Sequence, residues 1–466
     1  MPYVHSFPCT QEGDPVDLTV LVYSITGFFS LYSAYYFLLF YAALREKRGF
    51  TAVDHSKSRA RFLVLVPAHN EEAVISEICN DLLNQKYPED LFRVIVIADN
   101  CCDSTAQKVR KMECEKLKLV ERRSEIRGKG AALDYVLENK SNLIQGFDPD
   151  YVLVFDADNR VPDDFLASLS MQTNGEGALQ CNVKTKNPGS SWIARASHYE
   201  GMILQRLWQQ GKESLGLCTA LAGTGEAIRY DLISRLGFGN SLTDDLDLTI
   251  RLAKEGMRVK YLHYPCTYDE KPDDFGVELR RRIRWATGHF QTFFKHGKDL
   301  FRRPSRLSFD AFFYLINVIA PFIVFVSWAA SLLQALGLAT ITPLPPACSI
   351  TLSFVIFPML AAISWLEGDR HFIRNSPSFY ALMAIWFVAA PVGLVKALFG
   401  DAKWERTPHA HGLDSGRILS VPGDPNLKPM HVNLPDAEAP AWTAKGSNPD
   451  QRTLLSLAAQ NRLRCS

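Results

Sequence analysis

Tyr151-Val152-Leu153-Val154-Phe155-Asp156-Ala157-Asp158 is an apolar run that ends in two carboxylates. Its first five residues, aliphatic and aromatic throughout, read as a strand buried on both faces. Three upstream runs have the same character: residues 62–66 (FLVLV), 93–98 (RVIVIA) and 117–120 (LKLV). Stretches with helical spacing lie between them, at 71–85, 104–115 and 129–138. Strands alternating with helices predict βαβ units and a parallel sheet, so the fold class is α/β. In such sheets ligands bind beyond the carboxyl ends of the strands.

Polar clusters follow three of these strands: Pro67-Ala68-His69-Asn70-Glu71-Glu72, Asp99-Asn100-Cys101-Cys102-Asp103-Ser104, and Asp156-Ala157-Asp158. Their convergence on one sheet edge predicts a site there. Strand alternation directs Asp156 and Asp158 to the same side if the strand continues through them. Mg²⁺ or Mn²⁺ is held by one or two carboxylates plus substrate phosphates, and a nucleotide diphosphate supplies such phosphates. Read alone, the pair serves equally as a turn or helix cap, because Asn159, Pro162 and Asp163 point to a helix starting near 163.

Other motifs carry two readings each. Arg127-Gly128-Lys129-Gly130 opens a helix, and helix N-termini favour anions, so Lys129 is a phosphate contact or an exposed basic turn. Thr243-Asp244-Asp245-Leu246-Asp247 precedes a helical pattern. Thr243 suits an N-cap and the acids suit a first turn. A carboxylate fixed there could also take a proton from a sugar hydroxyl. Arg280-Arg281-Arg282-Ile283-Arg284-Trp285 suits lipid headgroups, or a diphosphate with Trp285 as a stacking floor for the acceptor. Residues 191–210 and 275–296 are amphipathic and suit either a membrane face or a core.

The chain has 466 residues and a net charge of +1, so no global field attracts nucleic acid. Residues 18–44, 311–366 and 375–395 carry no Asp, Glu, Lys or Arg. About 20 apolar residues span a bilayer core. Four spans are expected, with 311–366 split at Thr342-Pro343-Leu344-Pro345-Pro346. Arg45, Lys47 and Arg48 follow the first span, which puts the part after it in the cytosol. Lys396, Lys403 and Arg406 compete with Arg370 and Arg374 for the same side, so the C-terminus has no assigned side. Ten cysteines without a Cys-x-x-Cys pair read as reduced core residues.

The order of these elements resembles the membrane-integrated family 2 glycosyltransferases, the group with cellulose, chitin and hyaluronan synthases. That family's pattern runs Pro-x-x-Asn-Glu, an Asp after the second strand, Asp-x-Asp, Thr-Glu-Asp, then Gln-x-x-Arg-Trp. The matching positions here are Pro67-Ala68-His69-Asn70-Glu71, Asp99, Asp156 with Asp158, Thr243-Asp244-Asp245, and Arg281-Arg282-Ile283-Arg284-Trp285. Ala222-Gly223-Thr224-Gly225 resembles the family's loop beside the acceptor.

The resemblance implies a GT-A-like cytosolic domain over 45–300 and inversion at the anomeric carbon. An N-terminal segment (1–17), one span (18–44), three more (301–400) and a polar tail (401–466) complete the expected organisation. It implies a UDP-sugar donor, a glycan or lipid-linked acceptor, contact with membrane lipid, and a place in the plasma or inner membrane. Donor contacts would come from Pro67, His69, Asn70, Glu71, Asp99, Lys129, Asp156, Asp158, Arg281 and Arg284. Asp158 with Asp156 would hold Mg²⁺ or Mn²⁺. Asp245 would be the base, with Asp244, Gly223, Thr224 and Trp285 facing the acceptor. Arg281 stands where processive members have Gln, yet a polysaccharide synthase is the first expectation. Single transfer to a polyprenyl phosphate or other lipid is the second, and a non-catalytic membrane scaffold the third.

Overall fold

The computed structural model describes residues 19–45, 59–318 apart from 140–142 and 144, 333–334, 336–337 and 357–400. A seven-stranded sheet forms the centre, in the order β3-β2-β1-β4-β6-β5-β7. The strands are β1 (Phe62–Ala68), β2 (Phe92–Asp99), β3 (Leu117–Arg122), β4 (Tyr151–Val154), β5 (Ala178–Thr185), β6 (Glu226–Arg229) and β7 (Val259–Asp269). The four strands read from sequence pair in parallel, with Phe62 level with both Phe92 and Tyr151. Phe62, Val64, Val94 and Val96 face one buried layer, while Leu63, Leu65, Ile95 and Ile97 face the other. Burying each such side chain contributes about 1.5–3 kcal/mol. This half of the sheet is therefore a rigid base for the loops at its carboxyl edge.

The other half corrects the expectation of a purely parallel sheet. β6 runs antiparallel to β4, with Val154 opposite Glu226, and antiparallel to β5. It is four residues long and includes Glu226 and Arg229, too short and polar to stand out as a strand. Its reversed direction brings the start of β6, not its end, to the edge where Asp156 lies.

Helices pack on both sheet faces. α2 spans Ile75–Leu83 and α3 spans Thr105–Arg110, both shorter than their sequence patterns. α4 covers Lys129–Glu138, and the helix foreseen near 163 is α5, Phe165–Ser170. α6 (Trp192–Ile203) continues into a π-helical turn, Leu204–Gln210. α7 covers Tyr230–Leu236, α8 Asp244–Lys254 and α9 Phe275–Arg302. Thr243 holds the N-cap position of α8, but its hydroxyl makes no cap bond. It is buried without a partner and faces Gly288 of α9, where a Cβ would fall 2.5 Å from it.

The apolar segments wrap one side of this domain. Helix α1 (Thr19–Arg45), which precedes the domain, carries Leu39 buried among Leu207, Trp208 and Ile363. After α10 (Arg306–Leu315) come α11 (Phe357–Leu366), α12 (Phe372–Ala384) and α13 (Trp386–Phe399). Among the described residues, one helical stretch, Phe372–Phe399, is long and apolar enough to cross a membrane. Two spans were expected in 311–366; of that run α11 and the end of α10 are described, and the break expected at 342–346 lies outside the described residues. The terminal segment 1–17 and the tail 401–466 lie outside them too.

The cysteine reading also needs a correction. Cys79, Cys181, Cys218 and Cys266 are buried, but Cys102 and Cys114 are exposed. Cys102 sits in the loop after β2, where its backbone N–H is tied to the Asn70 side chain at 2.8 Å.

Candidate active site

Two loops lace together at the ends of β1 and β2. His69 Nδ1 lies 2.7 Å from the carbonyl oxygen of Asp99. The Glu71 N–H donates to the Thr105 hydroxyl at 2.8 Å. Asn70 and Asn100 adopt left-handed backbone conformations, with φ of 58° and 51°. Asn is among the few side chains that tolerate this region, and it lets both chains turn sharply at the strand ends. Asp99 is buried and paired with Arg122 at 2.6 Å. Arg122, at the end of β3, is a partner the sequence reading missed. Pro67, His69, Asn70, Glu71 and Asp99 thus form one group.

A second group assembles around Lys129. Gly130 makes this possible: a Cβ there would fall 1.8 Å from the carbonyl oxygen of Gly239. The start of α4 is pressed against the loop that leads into α8. Asp134 of α4 accepts the N–H groups of Phe238 and Gly239, and Arg251 of α8 donates to the carbonyls of Leu236, Gly237 and Phe238. Lys129 therefore meets residues that lie 27 and 94 positions away. Its Nζ donates to Asp156 Oδ1 and to the Gly223 carbonyl, each at 2.5 Å. Gly223 has φ of 77°, and its Cα hydrogen points between Lys129 Nζ and Asp245 Oδ2.

Buried side chains fix the loop that carries Gly223. Gln180 on β5 accepts the Ala222 N–H at 2.8 Å and donates to the Thr224 carbonyl at 2.9 Å. Thr249 accepts the Leu221 N–H at 3.0 Å, and Glu226 accepts the Gly223 N–H at 3.1 Å. The Thr224 hydroxyl donates to Asn159, and the Asp156 N–H reaches Thr224 Oγ1 at 3.2 Å. Asn159 in turn donates to Asp158 at 3.2 Å. So the loop and the Asp-x-Asp segment are one hydrogen-bonded unit.

The electrostatics are those of several carboxylates sharing few cations. Burial and the neighbouring Asp244 push the Asp245 carboxyl up to about 6, against the Leu246 N–H, Lys129 and Arg284. Burial also raises Asp244, with Lys129 opposing it. Glu226, unforeseen in the sequence, is pushed up to about 8 by burial, opposed by Lys129 and reinforced by Asp245 and Asp244. Burial pulls Lys129 down, but Asp156, Asp244 and Glu226 outweigh it and hold the ammonium above its ordinary range. Burial lowers Arg284, opposed by Asp245, Asp244 and Asp156. Lys129, Asp156, Gly223, Thr224, Asp244, Asp245 and Arg284 therefore share one neighbourhood.

α9 holds the Arg-Trp segment in a way the sequence left open. Arg281 pairs with Glu278 at 2.9 Å and lies over the Trp285 ring, 4.6 Å from its centroid. Arg282 is fully buried between Glu278, at 2.7 Å, and Glu200 of α6, at 2.5 Å. Arg284 donates to the Leu242 carbonyl at 3.3 Å, just ahead of Asp244. Asp247, one turn into α8, is bound by Arg251 at 2.8 Å, Lys295 at 2.7 Å and His296 at 2.9 Å. Burial would raise Asp247, but these three partners hold it well below the usual carboxylate range. Among the described residues no group of three His, Cys, Asp or Glu side chains could enclose a metal alone. Asp156 and Asp158 supply two carboxylates, the donor set suited to a divalent ion that binds together with phosphates.

Residues 60–288 match the family model described as glycosyltransferase like family 2. Over that stretch the chain is similar to the family 2 glycosyltransferases. A mannosyltransferase from Pyrobaculum calidifontis, solved with GDP-Man and Mn²⁺, shares the fold. It has a TM-score of 0.55 and 22% identity, covering 81% of this chain and 99% of that one. The GT-A-like expectation for the domain therefore holds. The beta-monoglucosyldiacylglycerol synthase of Nostoc sp. (strain PCC 7120 / SAG 25.82 / UTEX 2576) is 27% identical over 365 residues, 74% of this chain and 76% of that protein. The poly-beta-1,6-N-acetyl-D-glucosamine synthase of Staphylococcus aureus (strain COL) is 25% identical over 231 residues, 48% of this chain and 53% of that protein. The resemblance to cellulose, chitin and hyaluronan synthases is thus corrected at the level of the relatives: the more extensive similarity is to a lipid glucosyltransferase.

Proposed function

We propose that this glycosyltransferase domain transfers one glucose from UDP-glucose to the free hydroxyl of diacylglycerol, with inversion. The observation that carries this reading is the similarity to a beta-monoglucosyldiacylglycerol synthase along 74% of the chain. UDP-glucose is an α-glycoside, so a β-linked product requires inversion in a single displacement. The apolar helices packed beside the domain support a hydroxyl that arrives from a lipid surface.

The site chemistry fits one in-line step. Asp245 accepts the proton of the acceptor hydroxyl as that oxygen bonds to the anomeric carbon. The bond from that carbon to the diphosphate oxygen breaks, and UDP leaves. A carboxyl raised to about 6 by its surroundings is ionised at neutral pH yet more basic than a free Asp. Arg284 and Lys129 lie beside the same carboxylates and offset the charge of the leaving diphosphate. A divalent ion held by Asp156 and Asp158 would supply further positive charge there. Pro67, His69, Asn70, Glu71 and Asp99 bind the nucleoside; Asp244, Gly223, Thr224 and Trp285 face the acceptor. Arg281 orients Trp285 through their stacked contact.

The test is purified full chain in detergent with UDP-glucose and diacylglycerol. Release of UDP with a singly glucosylated lipid is expected. A ladder of polymer products would instead favour the polysaccharide reading, for which the Staphylococcus aureus relative speaks. Absence of UDP release with every UDP-hexose would sink both.

A further inference from the structure

We propose that the π-helical turn Leu204–Gln210 positions the acceptor side of the site, acting through Gln209 on the loop that carries Gly223 and Thr224. This rests on the reading above, in which that loop faces the acceptor.

A π turn inserts one residue into a helix and gives up regular hydrogen bonding, so it survives where it aims side chains usefully. This turn is filled with buried polar groups: Gln205, Arg206, Gln209 and Gln210 are all inaccessible. Gln209 stands out among them. Its Nε2 donates to the Ala220 carbonyl at 2.7 Å, and its Oε1 accepts the Ala220 N–H at 2.9 Å. Both polar groups of one loop residue are thereby bound by one side chain, as a neighbouring strand would bind them. Lys212, three residues on, donates to the Cys218 carbonyl at 3.1 Å. The helix therefore grips residues 218 and 220 of the loop in register.

The grip is braced from behind. A Cβ on Gly211 would fall 2.6 Å from the Leu39 carbonyl oxygen, so the helix lies directly on the backbone of the N-terminal helix. Arg206 donates to the Ala43 carbonyl of that helix at 2.8 Å. Lys212 also pairs with Asp310 of α10 at 3.0 Å. Gln209 is thus held against two apolar helices and holds, in turn, a residue three positions before Gly223. Gly223 lies between Lys129 and Asp245. A shift at Ala220 moves Gly223 and Thr224 against the base without touching the nucleoside loops of β1 and β2. A displacement of about 1 Å in a reacting geometry can cost on the order of a hundredfold in rate.

Gln209 acts through the loop, so it is a positioning residue, and its test separates acceptor use from donor use. Gln209→Met keeps the length of the side chain and removes both hydrogen bonds. Gln209→Glu keeps the acceptor for the Ala220 N–H and removes the donor. The full chain is assayed for hydrolysis of UDP-glucose without acceptor, and for transfer to whichever acceptor the wild type glucosylates. Transfer, as kcat/KM for acceptor, should fall on the order of tenfold or more in Gln209→Met and less in Gln209→Glu, in each case by a larger factor than donor KM and hydrolysis change. Amide exchange of residues 218–224, which needs no acceptor, should speed up in both variants while α8 keeps its protection. Parallel loss of hydrolysis and transfer would overturn the proposal, as would unchanged transfer or unchanged exchange in a folded variant. If Gln209→Met does not fold, the same split is required of Gln209→Glu. Failure of the wild type to glucosylate diacylglycerol would count against the acceptor class alone.

Discussion

Asp245 sits where two pressures meet. Burial and Asp244 push its carboxyl up to about 6, while the Leu246 N–H at 2.8 Å, Lys129 and Arg284 restrain the rise. As pH falls through that value the carboxylate takes up a proton and can no longer accept one. kcat/KM for transfer should therefore drop about tenfold per unit below pH 6. A pH profile flat down to 5 would exclude Asp245 as the base. Asp245→Asn keeps the shape of the side chain and removes the base. Transfer should fall on the order of a hundredfold or more, with UDP still bound, as read by calorimetry. Lys129 lies between Asp156 and the Gly223 carbonyl. Lys129→Met leaves Asp156, Asp244 and Glu226 without their shared cation. The expected result is a donor KM raised about tenfold at neutral pH, measured by UDP release.

At the scale of elements, the site depends on how closely α4, α8 and α9 approach one another. Gly288 of α9 packs directly on Thr243 at the start of α8. Gly288→Leu should wedge the two helices apart and cost about 1–3 kcal/mol, seen as a lower melting temperature. Asp247 ties the same pair through Arg251, Lys295 and His296. Asp247→Ala leaves Arg251 and His296 facing a buried position without their carboxylate and should cost about 3–5 kcal/mol in chemical denaturation. An Asp247→Ala protein as stable as wild type would show that the three side chains re-pair elsewhere. Spacing alone could not separate Asp247 from Asp244 and Asp245. All three lie in the first turn of one helix, and only their neighbours on α4 and α9 distinguish brace from base.

In the whole molecule, the apolar helices are joined to the catalytic domain rather than hung beside it. Gly393 of α13 touches Ala286 of α9, where a Cβ would fall 2.5 Å from the Ala286 side chain. Arg282 of α9 lies over Trp386 of α13, at 5.2 Å from its ring centroid. Gly393→Leu should therefore loosen the domain itself, seen as a lower melting temperature of the detergent-purified chain. The arrangement also gives the acceptor reading a physical route, since Asp245 and the Arg-Trp segment lie on elements that meet these helices.

The sequence by itself determined the first half of the fold and the rim of the site. Short apolar runs that alternate with helical stretches read as buried strands, and a parallel ladder sends every loop after them to one edge, so Asp99, Asp156 and Asp158 converge by topology. The onset of α4 at Lys129 and of α8 at Asp244 was legible as well, because helix starts carry local signals. The tertiary structure alone decided the rest. β6 is short and polar, so no pattern announced its antiparallel course or the placing of Glu226 and Gly223 beside Asp156. Arg122 and Asn159 act through the side chains of Asp99 and Thr224, and Gln180 and Gln209 through pairs of hydrogen bonds to distant backbone; contacts of these kinds leave no period in a sequence. The Asp-x-Asp pair was equally a cap or a ligand pair when read alone. Lys129 and the Thr224 loop, brought to it from 27 and 68 residues away, resolve it as part of a polar cluster at the sheet edge.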